Sequence, residues 1–184
     1  MTTFDGLPLQ TRRLRLRPYR ESDASALFAV FSDPRVMRYW SSPAWTPIEQ
    51  AHDVIARDQE GIRTGSHLGL AIEGLEDGVL LGQCTLYGWS KQCRRAEVGY
   101  CLGSTGWGQG YMAEALGALI TYGFDAMDLN RIEADIDPRN HRSAALLEKL
   151  GFVQEGFLRE RWIVGDEISD SALYGLLRRN WRAR

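Results

Sequence analysis

Cysteine, histidine and lysine are all scarce in this chain of 184 residues, and each shortage excludes something. The three cysteines, Cys84, Cys93 and Cys101, lack metal-ligand spacing, and an odd number argues against a disulfide framework. None has a histidine beside it that would mark an acyl-enzyme nucleophile. His52, His67 and His141 are scattered, so no metal site is expected. Only Lys91 and Lys149 are lysines; the arginine excess reads as genomic base composition more than as function. A net charge of -2 gives no argument for a nucleic-acid partner. There is no signal peptide and no apolar run long enough to span a bilayer, so no membrane partner is expected and a reducing cytoplasm is the simplest location. Repeats, linkers and low-complexity segments are missing too, so residues 1–184 are expected to form one domain around one core.

What is present centres on Gly103 to Ala126. Ala96 to Leu102 reads as a buried strand, and Gly106, Gly108 and Gly110 follow as a loop able to take backbone angles closed to other residues. Met112, Ala115, Leu116, Leu119, Ile120 and Gly123 then recur at helical spacing, which predicts a helix from about Tyr111. The first amides of a helix have no internal partner, and that end carries partial positive charge. Glycines there let a phosphate approach, so a phosphorylated ligand, in particular a pyrophosphate, is expected.

No lysine completes a P-loop pattern, which counts against a nucleotide hydrolase. Gly108-Gln-Gly110-Tyr-Met-Ala113 fits the dinucleotide fingerprint, with Glu133 about twenty residues on. That motif should open a repeated βαβ array, and the chain beyond it offers one more helix and then hairpin-like strands. Coenzyme A, which also carries a pyrophosphate, is the third reading.

Taken in order, Thr11 to Pro18 reads as a strand, with Leu14 and Leu16 facing one way and Arg13, Arg15 and Arg17 forming a solvated or ion-paired row on the other. A helix opens at Glu21-Ser22-Asp23 and stops at Asp33-Pro34; a second opens at Thr46-Pro47-Ile48-Glu49, with Pro in its first turn, and runs to about Gly61. The loop between them carries Trp40 and Trp45, as packing plugs or as the wall of a pocket. Strands follow at His67–Glu73, Val79–Trp89 and Ala96–Leu102, and, after the glycine loop and its helix, at Arg131–Asp137. A short helix at Ser143–Leu150 precedes strands at Phe152–Phe157, Arg159–Val164 and Asp170–Leu177. The expected fold is α/β (α+β): a mixed, largely antiparallel sheet with helices on both faces, in the order β-α-α-β-β-β-α-β-α-β-β.

Five stretches in this order resemble one family: Thr11-Arg-Arg-Leu-Arg-Leu-Arg-Pro18 with Glu21-Ser-Asp-Ala24, Ala96-Glu-Val-Gly-Tyr100, Trp107-Gly-Gln-Gly-Tyr-Met-Ala-Glu-Ala115, Asn140-His-Arg-Ser143 and Glu148-Lys-Leu-Gly-Phe152. The resemblance is to the GNAT N-acetyltransferases, in particular their RimJ/RimL-like branch, and it covers nearly the whole chain. It implies transfer of an acetyl group from acetyl-CoA to an amine, by direct attack in a ternary complex. The family's pyrophosphate loop, Gln/Arg-x-x-Gly-x-Gly/Ala, is represented by Trp107-x-x-Gly110-x-Met112, so Trp107 and Met112 depart from it. The resemblance implies cofactor contacts from Trp107, Gly108, Gln109, Gly110, Tyr111, Met112 and Ala113, with the pantetheine arm along Val98, Gly99, Tyr100 and Leu102. Arg142 could reach the phosphates.

Amine acetylation needs a base for the amine, a donor for the thioester oxygen and a proton or hydrogen bond for the departing thiolate. Glu97, an acid in an apolar strand, is the candidate base, through a water; pairing with Arg94 or Arg95 is the competing role. An amide near Val98 or Gly99 could hold the oxygen. Ser143 is the candidate for the thiolate, because Leu147 stands where the wider family often has a tyrosine acid. Asn140 orients pantetheine or water, or caps the helix. By resemblance, Trp40, Trp45 and the turn at Gly165-Asp166-Glu167 border the acceptor, which is a protein N-terminus or a small amine. A non-catalytic coenzyme A-binding module is the alternative from another class. Dimers are common in the family, and the C-terminal strands with Trp162 or Trp181 are the surface for one.

Overall fold

The computed structural model describes residues 4–182. Eight strands form one sheet: β1 (Leu9–Gln10), β2 (Leu14–Arg17), β3 (Leu68–Gly74), β4 (Leu80–Ser90), β5 (Arg95–Leu102), β6 (Arg131–Ile136), β7 (Val153–Val164) and β8 (Glu167–Leu177). Their spatial order is β1-β2-β3-β4-β5-β6-β8-β7. Every neighbouring pair is antiparallel except β5 and β6. A single parallel pair is what one crossover helix can make. It removes the repeated βαβ array that a dinucleotide fold requires. The helices are α1 (Ala24–Phe31), α2 (Pro34–Met37), α3 (Glu49–Thr64), α4 (Tyr111–Asp125) and α5 (His141–Lys149).

Strand alternation sends side chains to two cores. On one face Leu14, Leu16, Leu70, Ile72, Leu86, Val98 and Ile132 pack against Met112, Leu116, Leu119 and Ile120 of α4 and Leu147 of α5. On the other, Ala71 and Cys101 meet Leu27 and Phe31 of α1 and Ala51 and Ile55 of α3. Each fully buried leucine or isoleucine adds about 1.5–3 kcal/mol to that driving force. The second core takes nothing from β6, β7 or β8, so helices cover that face only as far as β5.

The arginine row of β2 is ion-paired, as the alternation suggested. Arg13 binds Glu114 at 2.7 Å, Arg15 binds Glu73 at 3.2 Å, and buried Arg17 bridges Asp23 (2.7 Å) and Glu73 (2.6 Å). Three local readings are corrected. β1 and α2 add to the expected order because they are too short to show a period. Phe152–Phe157 and Arg159–Val164 are one strand, β7, whose irregular register between Leu158 and Trp162 holds Glu160 at φ 52°. Trp181 packs near Phe124 and donates its indole N–H to Thr121 at 3.2 Å, which leaves Trp162 as the exposed tryptophan of the C-terminal region.

Candidate active site

The sheet forks at its centre. β5 pairs with β6 only through Arg95–Arg131, Ala96–Ile132 and Glu97–Glu133. Beyond Glu97, β5 continues to Leu102 bonded to β4 alone, while Ala134 to Ile136 bond to β8 alone. Backbone groups of Val98–Leu102 on the fork side therefore have no strand partner, and an extended ligand carrying amides could supply one. The side chain of Val98 is buried in the core, so only its backbone is available there. The carbonyl of Leu102 already accepts the Trp107 indole N–H at 2.8 Å.

The glycine loop lies at the open end of the fork. Gly108 and Gly110 adopt φ of 76° and 77°, the left-handed region that glycine enters without strain. Gly110 precedes α4, and Glu114 donates the first regular helical bond, to the Gly110 carbonyl at 3.2 Å. The amides of Tyr111, Met112 and Ala113 are thus the free donors of the helix start. A methyl group on Gly108 would meet nothing within 4 Å, so the loop presents bare backbone to open space. That arrangement fits a pyrophosphate. Arg13 supports it from behind, bonding the Gln109 carbonyl at 3.0 Å and lying 4.6 Å over the Tyr111 ring. Gln109 spends its side-chain amide on the Thr105 carbonyl at 3.0 Å. Met112 turns into the main core, so its departure from the family pattern adds bulk behind the loop and not inside it. Trp107 lies under Arg142, 5.3 Å from guanidinium to ring, which links the loop to the start of α5.

α5 begins with Asn140, whose Oδ1 accepts the Ser143 amide at 3.1 Å. The capping role read from the sequence is therefore filled. Ser143 is buried, and its Oγ lies 2.6 Å from the hydroxyl of Tyr100. This pairing was not legible in the chain, where Tyr100 stood only as backbone for a ligand. Burial is the main reason the Tyr100 phenol is pushed up to about 12, with Ser143 pulling the other way. It is fully protonated near neutrality and can donate. Leu147 is wholly buried in the core.

Glu97 projects from the opposite face of β5, the face of Cys101, since alternate residues point apart. Its cross-strand neighbour is Tyr87, whose phenol lies close enough to feel its charge. Burial chiefly, and then Glu97, hold the Tyr87 phenol well above its ordinary value. A bulge in β4 follows at once: Gly88 sits at φ 59°, and a methyl group there would come 3.4 Å from Glu97 Oε1. Bulges of this kind re-aim side chains beside active sites. Arg94 and Arg95 instead take Asp128 and Glu133, at 2.6 and 2.8 Å, which leaves Glu97 to Tyr87.

On the acceptor side the two tryptophans divide. Trp45 is buried and stacked on Phe31, with centroids 4.4 Å apart, which is the packing role among the two read from the sequence. Trp40 meets Phe31 edge-on at 5.5 Å and stays half-exposed. Glu167, at the β7–β8 turn, binds Arg139 (2.7 Å) and Arg38 (3.1 Å), and both arginines approach the ring of Tyr39. The loop after α1 is thereby tied to the hairpin across the open face.

Comparison with known proteins agrees with this architecture. Residues 13–153 match the acetyltransferase (GNAT) domain family. The chain is 36% identical over 173 residues to the uncharacterized N-acetyltransferase p20 of Bacillus licheniformis, covering 94% of this chain and 97% of that one. Over a shorter stretch of 84 residues, 46% of this chain and 43% of the other, it is 36% identical to the ribosomal protein uS5-alanine N-acetyltransferase of Escherichia coli. Its fold superposes on Mycobacterium smegmatis RimJ, solved with CoA-disulfide, with a TM-score of 0.81 at 26% identity, covering 90% of this chain and 82% of that one.

Proposed function

The chain belongs to the GNAT acetyltransferase family, and from that premise we propose that it moves an acetyl group from acetyl-CoA to a primary amine by direct attack. The observation that carries the reading is the fork. β5 loses its partner after Glu97 and runs, with unpaired backbone, toward a loop whose glycines bare the amides of a helix start. One ligand suits both halves: an amide-bearing arm ending in a pyrophosphate. Val98 to Tyr100 would hold the arm, Gly108 to Ala113 the pyrophosphate, and Arg142 a further phosphate.

Glu97 and Ser143 lie on opposite sides of β5, so the base and the thiolate donor reach the reacting carbon from opposite sides. As the amine nitrogen bonds to the acetyl carbon, Glu97 accepts the amine proton through a water, and Tyr87 orients its carboxylate. As the carbon–sulfur bond breaks, the sulfur takes a hydrogen bond or proton from Ser143, backed by Tyr100. The acceptor is a protein N-terminus or a small amine entering over the face bordered by Trp40.

The deciding experiment is thermal melting with acetyl-CoA, using NADH as the comparison. A ligand that binds only the folded protein adds about 2.7 kcal/mol at a hundred-fold excess over its dissociation constant. A shift with acetyl-CoA alone supports the reading and justifies an acceptor screen with free N-terminal peptides and small amines. No shift at saturation removes it.

A further inference from the structure

Three acids alternate along the outward side of β6 and its exit: Glu133, Asp135 and Asp137. Two of them are paired. Glu133 accepts from Arg95 at 2.8 Å and from Arg131 at 2.7 Å, and Asp137 accepts from Arg139 at 2.9 Å. Asp135, between them, has a buried Oδ1 with no hydrogen-bond partner. A carboxylate oxygen left in that state, out of water and without a donor, destabilises the fold. A chain this rich in arginine could have placed one there, as it did on either side.

The position explains the exception. The β5–β6 ladder ends at Glu97–Glu133, and two residues further along β6 is Asp135, at the mouth of the fork opposite Gly99. The Tyr87 phenol feels the charge of both Glu97 and Asp135, so all three groups share one neighbourhood. Gly99 has no room for a side chain beside Tyr87: a methyl group there would press on Tyr87 at 3.3 Å and on Thr85 at 3.1 Å. Among the described residues, the hydrophobic core on this face takes none from β6. The geometry points to Asp135 as the group that receives the acceptor's ammonium, with the acceptor a cationic primary amine. The amine's N–H donates to the other carboxylate oxygen, Asp135 Oδ2, which solvent can reach, and a second N–H is left for the water in front of Glu97. The assignment rests on the acetyltransferase reading and adds to it the charge of the acceptor and the residue that selects for it.

The test compares wild type and Asp135→Asn in three measurements: melting temperature, acetyl-CoA affinity by calorimetry, and KM and kcat for two amine probes, spermidine and a hexapeptide with a free N-terminal alanine. The expected result is a melting temperature equal to or above wild type, an acetyl-CoA dissociation constant within two-fold, and a KM at least ten-fold higher for whichever probe wild type acetylates. A structural role predicts the reverse: a fall of more than about 4 °C, on the order of 1–2 kcal/mol for a chain of this size, with KM unmoved. Either an unchanged KM or such a fall overturns the assignment while leaving the acetyltransferase reading intact. Failure of wild type itself to bind acetyl-CoA, or to acetylate either probe, overturns both.

Discussion

Tyr100 and Ser143, 43 positions apart in the chain, place their hydroxyls 2.6 Å from each other across the gap between β5 and α5. That bond joins one wall of the fork to the first turn of α5. It gives Ser143 a partner that stays protonated, because burial lifts the Tyr100 phenol to about 12. Ser143→Ala should lower kcat by roughly 10²-fold, the lower part of the range for a positioned proton donor, with acetyl-CoA affinity little changed. Tyr100→Phe should have a smaller effect. The double variant should be no worse than Ser143→Ala, since residues of one network do not add. Steady-state kinetics with a verified acceptor decide this; additive losses would separate the two hydroxyls.

Glu97→Gln should cost about 10²-fold in kcat at neutral pH and leave acetyl-CoA binding as it is. The substitution keeps the shape and the contact with Tyr87 while removing the proton acceptor. Unchanged turnover would assign the base elsewhere.

Gly108→Ala isolates the backbone. Nothing lies within 4 Å of the added methyl group, but φ is 76°. A residue with a side chain there costs about 1–2 kcal/mol. The melting temperature should therefore drop by a few degrees, and the acetyl-CoA dissociation constant should rise as the loop relaxes. A lower melting temperature with full acetyl-CoA affinity would detach this loop from the pyrophosphate.

The two tryptophans should separate cleanly. Trp45→Ala empties a stacked, buried site and should destabilise by about 3–5 kcal/mol, read by denaturant titration. Trp40→Ala should change stability less and acceptor KM more.

Acid should act on the network at the start of the fold. Burial by itself would raise the Asp23 carboxyl; Arg17 and the Arg20 amide together outweigh it and hold it below its ordinary value. A depressed carboxyl contributes stability that is present above its unfolded pKa of about 4 and is lost as pH falls through the folded value. Melting temperature should therefore decline below about pH 4. Asp23→Ala should flatten that limb and cost roughly 1.5–3 kcal/mol at neutral pH, by leaving Arg17 with Glu73 as its one remaining carboxylate partner.

These particulars show what the chain discloses by itself. Leu14 and Leu16, or Met112, Ala115 and Leu119, announce a strand and a helix because their period is local. So do the glycines before α4, whose backbone freedom is a property of single residues. β1 and α2 are shorter than any period, and β7 reads as two strands because its irregular segment at Leu158–Trp162 breaks the alternation. Trp45 looks the same in sequence whether it lines a pocket or fills a core; only the stack on Phe31 decides. Asp135 reads as the outward residue of a half-exposed strand, and its missing partner becomes visible only beside paired Glu133 and Asp137. The fork itself is an absence of pairing between segments more than thirty residues apart, which no local pattern encodes.

That absence has a mechanical side. The sheet is two slabs, β1 to β5 and β6 to β8, and the seam between them is three rungs long. A ligand arm lying along Val98 to Tyr100 would act as a splint across the short seam, stiffening strands it never touches. Amide hydrogen exchange in β6 and β8 should slow on loading, although the arm touches neither strand.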